Sequence, residues 1–276
     1  ALKSYGDFNQ AIEVYAKALK INPSFAIAKT NMDNAVKEKS EIDKLVTNYA
    51  EITKFEVGSA EIVSFTGALL KEKGYLDAAI DSYKKAIRIK SSSAKTNHRI
   101  ALALMTLGDL EAAISAFEFV IRINPNSANA LNDLGATLLE CGNLSDAEKK
   151  FTKAITINPK LAAAHYNLGI VQQQNGHLSD AIKSFKLSIK GKFNQANAYL
   201  NIANAQVDKN DIFASIESYK SSLSFESENQ LVRSQKLFQQ SYICDWFGIQ
   251  LDRAVIPELG VSTQYIPPFT LLALED

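Results

Sequence analysis

One pattern of apolar, small and polar positions returns along this chain at a fixed interval. Gly74, Gly108, Gly142 and Gly176 are evenly spaced, each followed by leucine two places on and alanine five places on. An aromatic follows nine places on: Tyr83, Phe117, Phe151 and Phe185. Pro125 and Pro159, separated by the same interval, close two of the units. These signals bracket two helices per interval. The lone glycine suits the left-handed conformation that stops a helix. Asp109 or Asn143 can cap the next helix, with Glu111 or Asp146 near its positive end. Proline, which has no N–H and clashes with the preceding turn, ends it.

The interval also sets the domain organisation. Six units of equal length run at 26–59, 60–93, 94–127, 128–161, 162–195 and 196–229. Residues 1–25 hold part of an earlier unit, with Gly6, Ala11, Tyr15, Ala18 and Pro23 at matching offsets. Residues 230–247 read as a terminal half-unit, with Cys244 where the stopping glycine belongs. No further repeat fits 248–276, which reads as a cap or a linker towards a downstream domain. The unit 26–59 is degenerate: Ser40 replaces the stopping glycine and Leu45 a small residue, although Tyr49 keeps the aromatic position. A degenerate helix pair is the expectation here, and a single long helix through Lys37–Ser40 is its competitor. The chain opens Ala1-Leu2-Lys3-Ser4-Tyr5-Gly6, inside a repeat, and so reads as a fragment whose targeting signals are not visible.

Composition narrows the function. Only 12 Gly and 6 Pro in 276 residues favour packed helices. Thirty Lys+Arg against thirty Asp+Glu leave no net charge, against a nucleic-acid binder relying on overall attraction. No run of about 18 apolar residues offers a membrane span. Two cysteines make no disulfide framework, and a reduced, cytoplasmic protein is the simplest account. Cys141 and Cys244 lack metal-ligand spacing with His98, His165 or His177. Paired acids such as Asp180 with Glu148 recur because helix starts favour them, and no Gly-rich phosphate loop exists. No catalytic, cofactor-binding or metal residue is assigned, and the chain itself is expected not to be an enzyme.

The interval, with small residues at Gly135, Ala147 and Ala154 and leucines at Leu131 and Leu134, resembles the tetratricopeptide repeat. Ala128 to Leu161 is the clearest unit. The resemblance implies an all-α solenoid, a right-handed superhelix of antiparallel helix pairs whose first helices line a concave face. Amides crowd that face: Asn31, Asn129, Asn132, Asn167, Gln173, Gln174, Asn197, Asn201 and Asn204. An amide both donates and accepts, so it can pair with a peptide backbone of any sequence. Asn31, Asn167 and Asn201 hold the sixth place of their units. That placement resembles the asparagine ladder with which O-linked N-acetylglucosamine transferases clamp extended peptides, although Phe65, Arg99 and Asp133 interrupt it. Plain solvation of an exposed helix face is the competing account. Lys95, His98 and Arg99 form a small basic spot that reads as a solvated cluster, since the full basic set of chaperone-binding repeat proteins is lacking.

The end of the chain adds a second resemblance. Cys244-Asp245-Trp246, followed by an apolar stretch containing Pro268 and Phe269, resembles the junction between repeats and catalytic domain in the SPINDLY and O-linked N-acetylglucosamine transferase family. It implies a substrate-recognition arm whose catalytic domain lies beyond Asp276, with protein or peptide segments as partners. A freestanding adaptor, or an assembly module forming a homo-oligomer, is the alternative, with Trp246 closing the last repeat.

Overall fold

The computed structural model describes residues 7–56, 58–89, 93–245 and 249. Trp246, Pro268 and Phe269, and the expected cap 248–276 apart from Ile249, lie outside them. The described residues form thirteen helices and no strand. The chain divides into two compact units, Ala1–Thr137 and Leu138–Asp276. The first holds α1 (Phe8–Ile21), α2 (Ala26–Thr53), α3 (Ala60–Glu72), α4 (Leu76–Arg88), α5 (Ala94–Thr106), α6 (Leu110–Ile123) and most of α7 (Ala128–Glu140). The second holds α8 (Leu144–Ile157), α9 (Ala162–Gln174), α10 (Leu178–Lys190), α11 (Gln195–Asp208), α12 (Ile212–Leu223) and α13 (Gln230–Tyr242).

Every turn between paired helices is built one way. Gly74, Gly108, Gly142 and Gly176 have φ of 84°, 82°, 77° and 77°. Asn210 and Cys244, at the same place in the last two units, reach 61° and 57° without being glycine. The next residue then donates its N–H five residues back, as Asp109 does to Leu104 O (3.0 Å) and Asp211 to Gln206 O (2.8 Å). This satisfies carbonyls that the ending helix leaves unpaired. Asp109, Asn143 and Asp211 cap the following helix through side chains that accept from Ala112, Asp146 and Ala214 N. The construction is repeated after α13, within the expected half-unit 230–247. Asp245 N donates to Gln240 O (2.9 Å), and Ile249 N to Asp245 O (3.1 Å), matching the bond from Ser215 N to Asp211 O.

Packing explains the small residues. A side chain at Gly169 would meet the Phe185 ring at 2.7 Å, and one at Gly67 would meet the Tyr83 ring at 3.0 Å. The glycine of the first helix thus makes room for the aromatic of the second. Phe185 also reaches the next pair, packing with Ala198 and Ile202 of α11.

The unit 26–59 departs from the expected helix pair. Its 28 residues from Ala26 to Thr53 form one continuous helix, and the left-handed residue comes only at Lys54, with φ 56°. At ~1.5 Å per residue α2 is about 42 Å long. Ser40 gives the chain no inexpensive route into the left-handed region, and a Lys39–Asp43 pair at 2.9 Å spans the expected break. The second half of α2 packs on α3 instead of folding back: Ile42 is buried, and Tyr49 stacks on Phe65 with ring centroids 3.9 Å apart.

Candidate functional site

Two first helices of the second unit, α9 and α11, carry almost no charge, whereas α13 holds Arg233 and Lys236. Neither α9 nor α11 contains Lys or Arg, and their only acid is Asp208, the last residue of α11. By contrast, α3 and α5 carry Glu61, Lys71, Glu72, Lys95 and Arg99. Along α9, α11 and α13 amides recur in register. Asn167 on α9 and Asn201 on α11 are both half-buried, and Gln235 on α13 holds the same place one repeat further on. A search that follows asparagine alone passes over Gln235. Its Oε1 is buried with no hydrogen-bond partner.

Asn201 is held in place by its neighbour: its Nδ2 donates to the Tyr166 hydroxyl oxygen at 3.3 Å. That bond leaves its carbonyl oxygen and second N–H for other partners. Burial raises the pKa of Tyr166, so the phenol stays protonated at neutral pH. Asn204 accepts from the Tyr219 hydroxyl at 2.8 Å. Burial, followed by the nearby Asp208 charge, pushes the Tyr219 pKa up to about 12. Asn197 donates to Asn194 Oδ1 at 2.8 Å. Gln173 is half-buried and Gln174 exposed at the end of α9. On α13, Phe238 and Tyr242 are 40% and 68% exposed, one turn apart and in register with Asn204 and Asp208. A large aromatic left in water beside an amide column is a ready anchor for a ligand side chain, and the sequence pattern does not single this pair out.

The first unit brings fewer of the expected residues together. Asn31 is half-buried on α2, and Asn129 is exposed on α7. Asn132 is a correction: expected on the exposed face, it is buried, with Nδ2 bonded to Asp133 Oδ1 at 3.1 Å. The basic spot lines a cavity of about 290 Å³ with Val120, Asn124 and Ser127. It is partly neutralised from within, because His98 Nε2 lies 2.8 Å from Asp133 Oδ2. This contact and the Tyr166–Asn201 bond share one spacing, the fifth place of one repeat to the sixth of the next. Among the described residues no group of three or more His, Cys, Asp and Glu could hold a metal ion, and Cys141 and Cys244 are exposed. None of the described helices is long and apolar enough to cross a membrane.

Residues 137–176 match the model of the TPR repeat, residues 104–150 a model of the tetratricopeptide repeat, and residues 1–25 and 67–93 a further tetratricopeptide-repeat model. The fold is that of the tetratricopeptide repeat. Solved structures agree on the fold. The MamA protein is 25% identical with a TM-score of 0.55, over 62% of this chain and 93% of that one. PilF of Pseudomonas aeruginosa is 20% identical with a TM-score of 0.55, over 71% and 91%. YrrB, described as a TPR protein with an unusual peptide-binding site, is 19% identical with a TM-score of 0.54, over 69% and 97%. No curated protein matches the sequence. Within the tetratricopeptide-repeat fold, α9, α11 and α13 are first helices, so the amide column lies on the equivalent face of three successive repeats.

Proposed function

We propose that the protein is a protein-interaction scaffold that binds extended, uncharged peptide segments on the α9–α11–α13 face. The observation that carries this reading is the column Asn167, Asn201 and Gln235 in register on three successive first helices, two of which, α9 and α11, are almost without charge. An extended peptide exposes a donor and an acceptor at every residue, and the amides answer both. Over α9 and α11 a charged ligand side chain would lose hydration and find no opposite charge in return. Phe238 and Tyr242 supply apolar contact at one end. The YrrB structure is a precedent for peptide binding on this fold.

Asn167→Ala with Asn201→Ala is expected to weaken binding of Ser-, Gln- and Pro-rich peptides by about 1 kcal/mol for each amide, with helicity by circular dichroism unchanged. Affinity should also depend little on salt. Unaltered affinity for every peptide that the parent chain binds would remove the amide column from the mechanism.

A narrower form of the reading makes this scaffold the substrate-recognition arm of a SPINDLY-like protein O-glycosyltransferase. Its support is the Cys244-Asp245-Trp246 resemblance. Cys244 and Asp245 also serve the repeat itself, as the left-handed stop and the residue after it, so Trp246, Pro268 and Phe269 carry most of the weight. The expected result is that the protein translated from the whole reading frame transfers sugar from a nucleotide sugar to peptides bound on this face. Binding without transfer, across the common nucleotide sugars, would discard the narrower form and keep the scaffold.

A further inference from the structure

The continuous helix α2 leaves open a face that every other described repeat closes. Two places on each second helix hold small or modest residues pressed into the pair: Ala79 and Ala86, Ala113 and Val120, Ala147 and Ala154, Ala181 and Ser188, Ser215 and Ser222. All ten are at most 2% exposed. Ser222 shows what covers them, since its hydroxyl donates to Ala196 O on the first helix of its own repeat at 2.9 Å. In α2 the same places hold Leu45 and Ile52, which are 45% and 81% exposed. The covering helix is missing because it is the first half of α2 itself, collinear with the second half. Refolding into a pair would not restore the cover. Leucine and isoleucine are too large for a place built for alanine, and Asp33 stands where Gly67 and Gly169 make room in their repeats.

We infer that this face docks a second copy of the chain, through antiparallel pairing of the two α2 helices. The pattern of α2 is self-complementary in that orientation. Leu45 and Ile52 are two helical turns apart and share one side of the helix. A two-fold axis between them sets each leucine over the isoleucine of the other copy. Lys44 and Glu51, both exposed, flank the same seam at the same separation with opposite signs. Antiparallel pairing brings Lys44 beside Glu51 of the second copy twice over, an attractive contact that the pairing makes on both sides of the two-fold axis. The contact covers about two helical turns, well short of a standard interface, so the dimer is weak and concentration-dependent. This surface is independent of the peptide-binding face.

Sedimentation equilibrium on the full chain tests the inference. The apparent mass is expected to rise from 30.3 kDa towards twice that value as the concentration approaches about 1 mM. Leu45→Asp with Ile52→Asp should hold it at one chain. Lys44→Glu alone should reduce association, and Lys44→Glu combined with Glu51→Lys should restore it, which a mere folding defect would not do. A mass fixed at one chain throughout overturns the inference. So does self-association that survives the Asp substitutions, or a double charge exchange that fails to rescue.

Discussion

Phe185→Ala is expected to destabilise the second unit by about 3–5 kcal/mol, read as a lower urea midpoint followed by circular dichroism. The ring is fully buried between two helix pairs, against Ala181 of its own helix and Ala198 and Ile202 of the next repeat, with Tyr166 edge-on at 5.7 Å. Truncation removes the transfer free energy of the ring and leaves a cavity that Gly169, having no side chain, does nothing to fill. The converse change strains the same contact. Gly169→Leu drives a side chain into a ring that would already lie 2.7 Å from Cβ, and overpacking there should cost roughly 1–3 kcal/mol. The two changes are coupled in space, so Gly169→Leu in the Phe185→Ala background should cost less than it does alone. Simple additivity would show that the glycine and the ring do not share one space.

The paired helices were legible in the sequence because each rests on residues with few conformational choices. The evenly spaced glycines at 74, 108, 142 and 176 mark left-handed stops, and all of them adopt that conformation. Asn210 and Cys244 do the same work, and only the phase of the repeat reveals it. The site was less legible. Asn167 and Asn201 stand out by residue type and place, whereas Gln235 holds the same place with a different amide. Asn132 was misplaced because place alone does not decide burial: its Nδ2 bonds Asp133 Oδ1, and the side chain is covered. The exposure of Phe238 and Tyr242 depends on what neighbouring helices cover, which is a tertiary property with no local signal.

The long helix α2 was the deepest departure, and substitutions at Ser40 test it. Periodicity reports which residues share a face, but it does not report whether the chain turns between two faces. Tyr49 kept its aromatic place although the turn that normally precedes it had gone. If a helix pair with a left-handed stop at Ser40 formed, proline, locked at negative φ, would be costly there as well, so Ser40→Gly separates the two: glycine favours that stop and would raise the midpoint, whereas inside the continuous α2 it should cost about 1 kcal/mol. In the continuous α2, proline removes the N–H that bonds to the preceding turn and clashes with the carbonyl one turn back, at a cost of about 3 kcal/mol or more. The stacking of Tyr49 on Phe65 and the bond from the Tyr75 hydroxyl to Glu38 flank this point, so a kink at Ser40 would misalign both. The expected result is a clear loss of helicity and a lowered midpoint for the first unit, with the second unit unaffected. A Ser40→Gly chain that melts above its parent would restore the turn, and with it a closed repeat at 26–59.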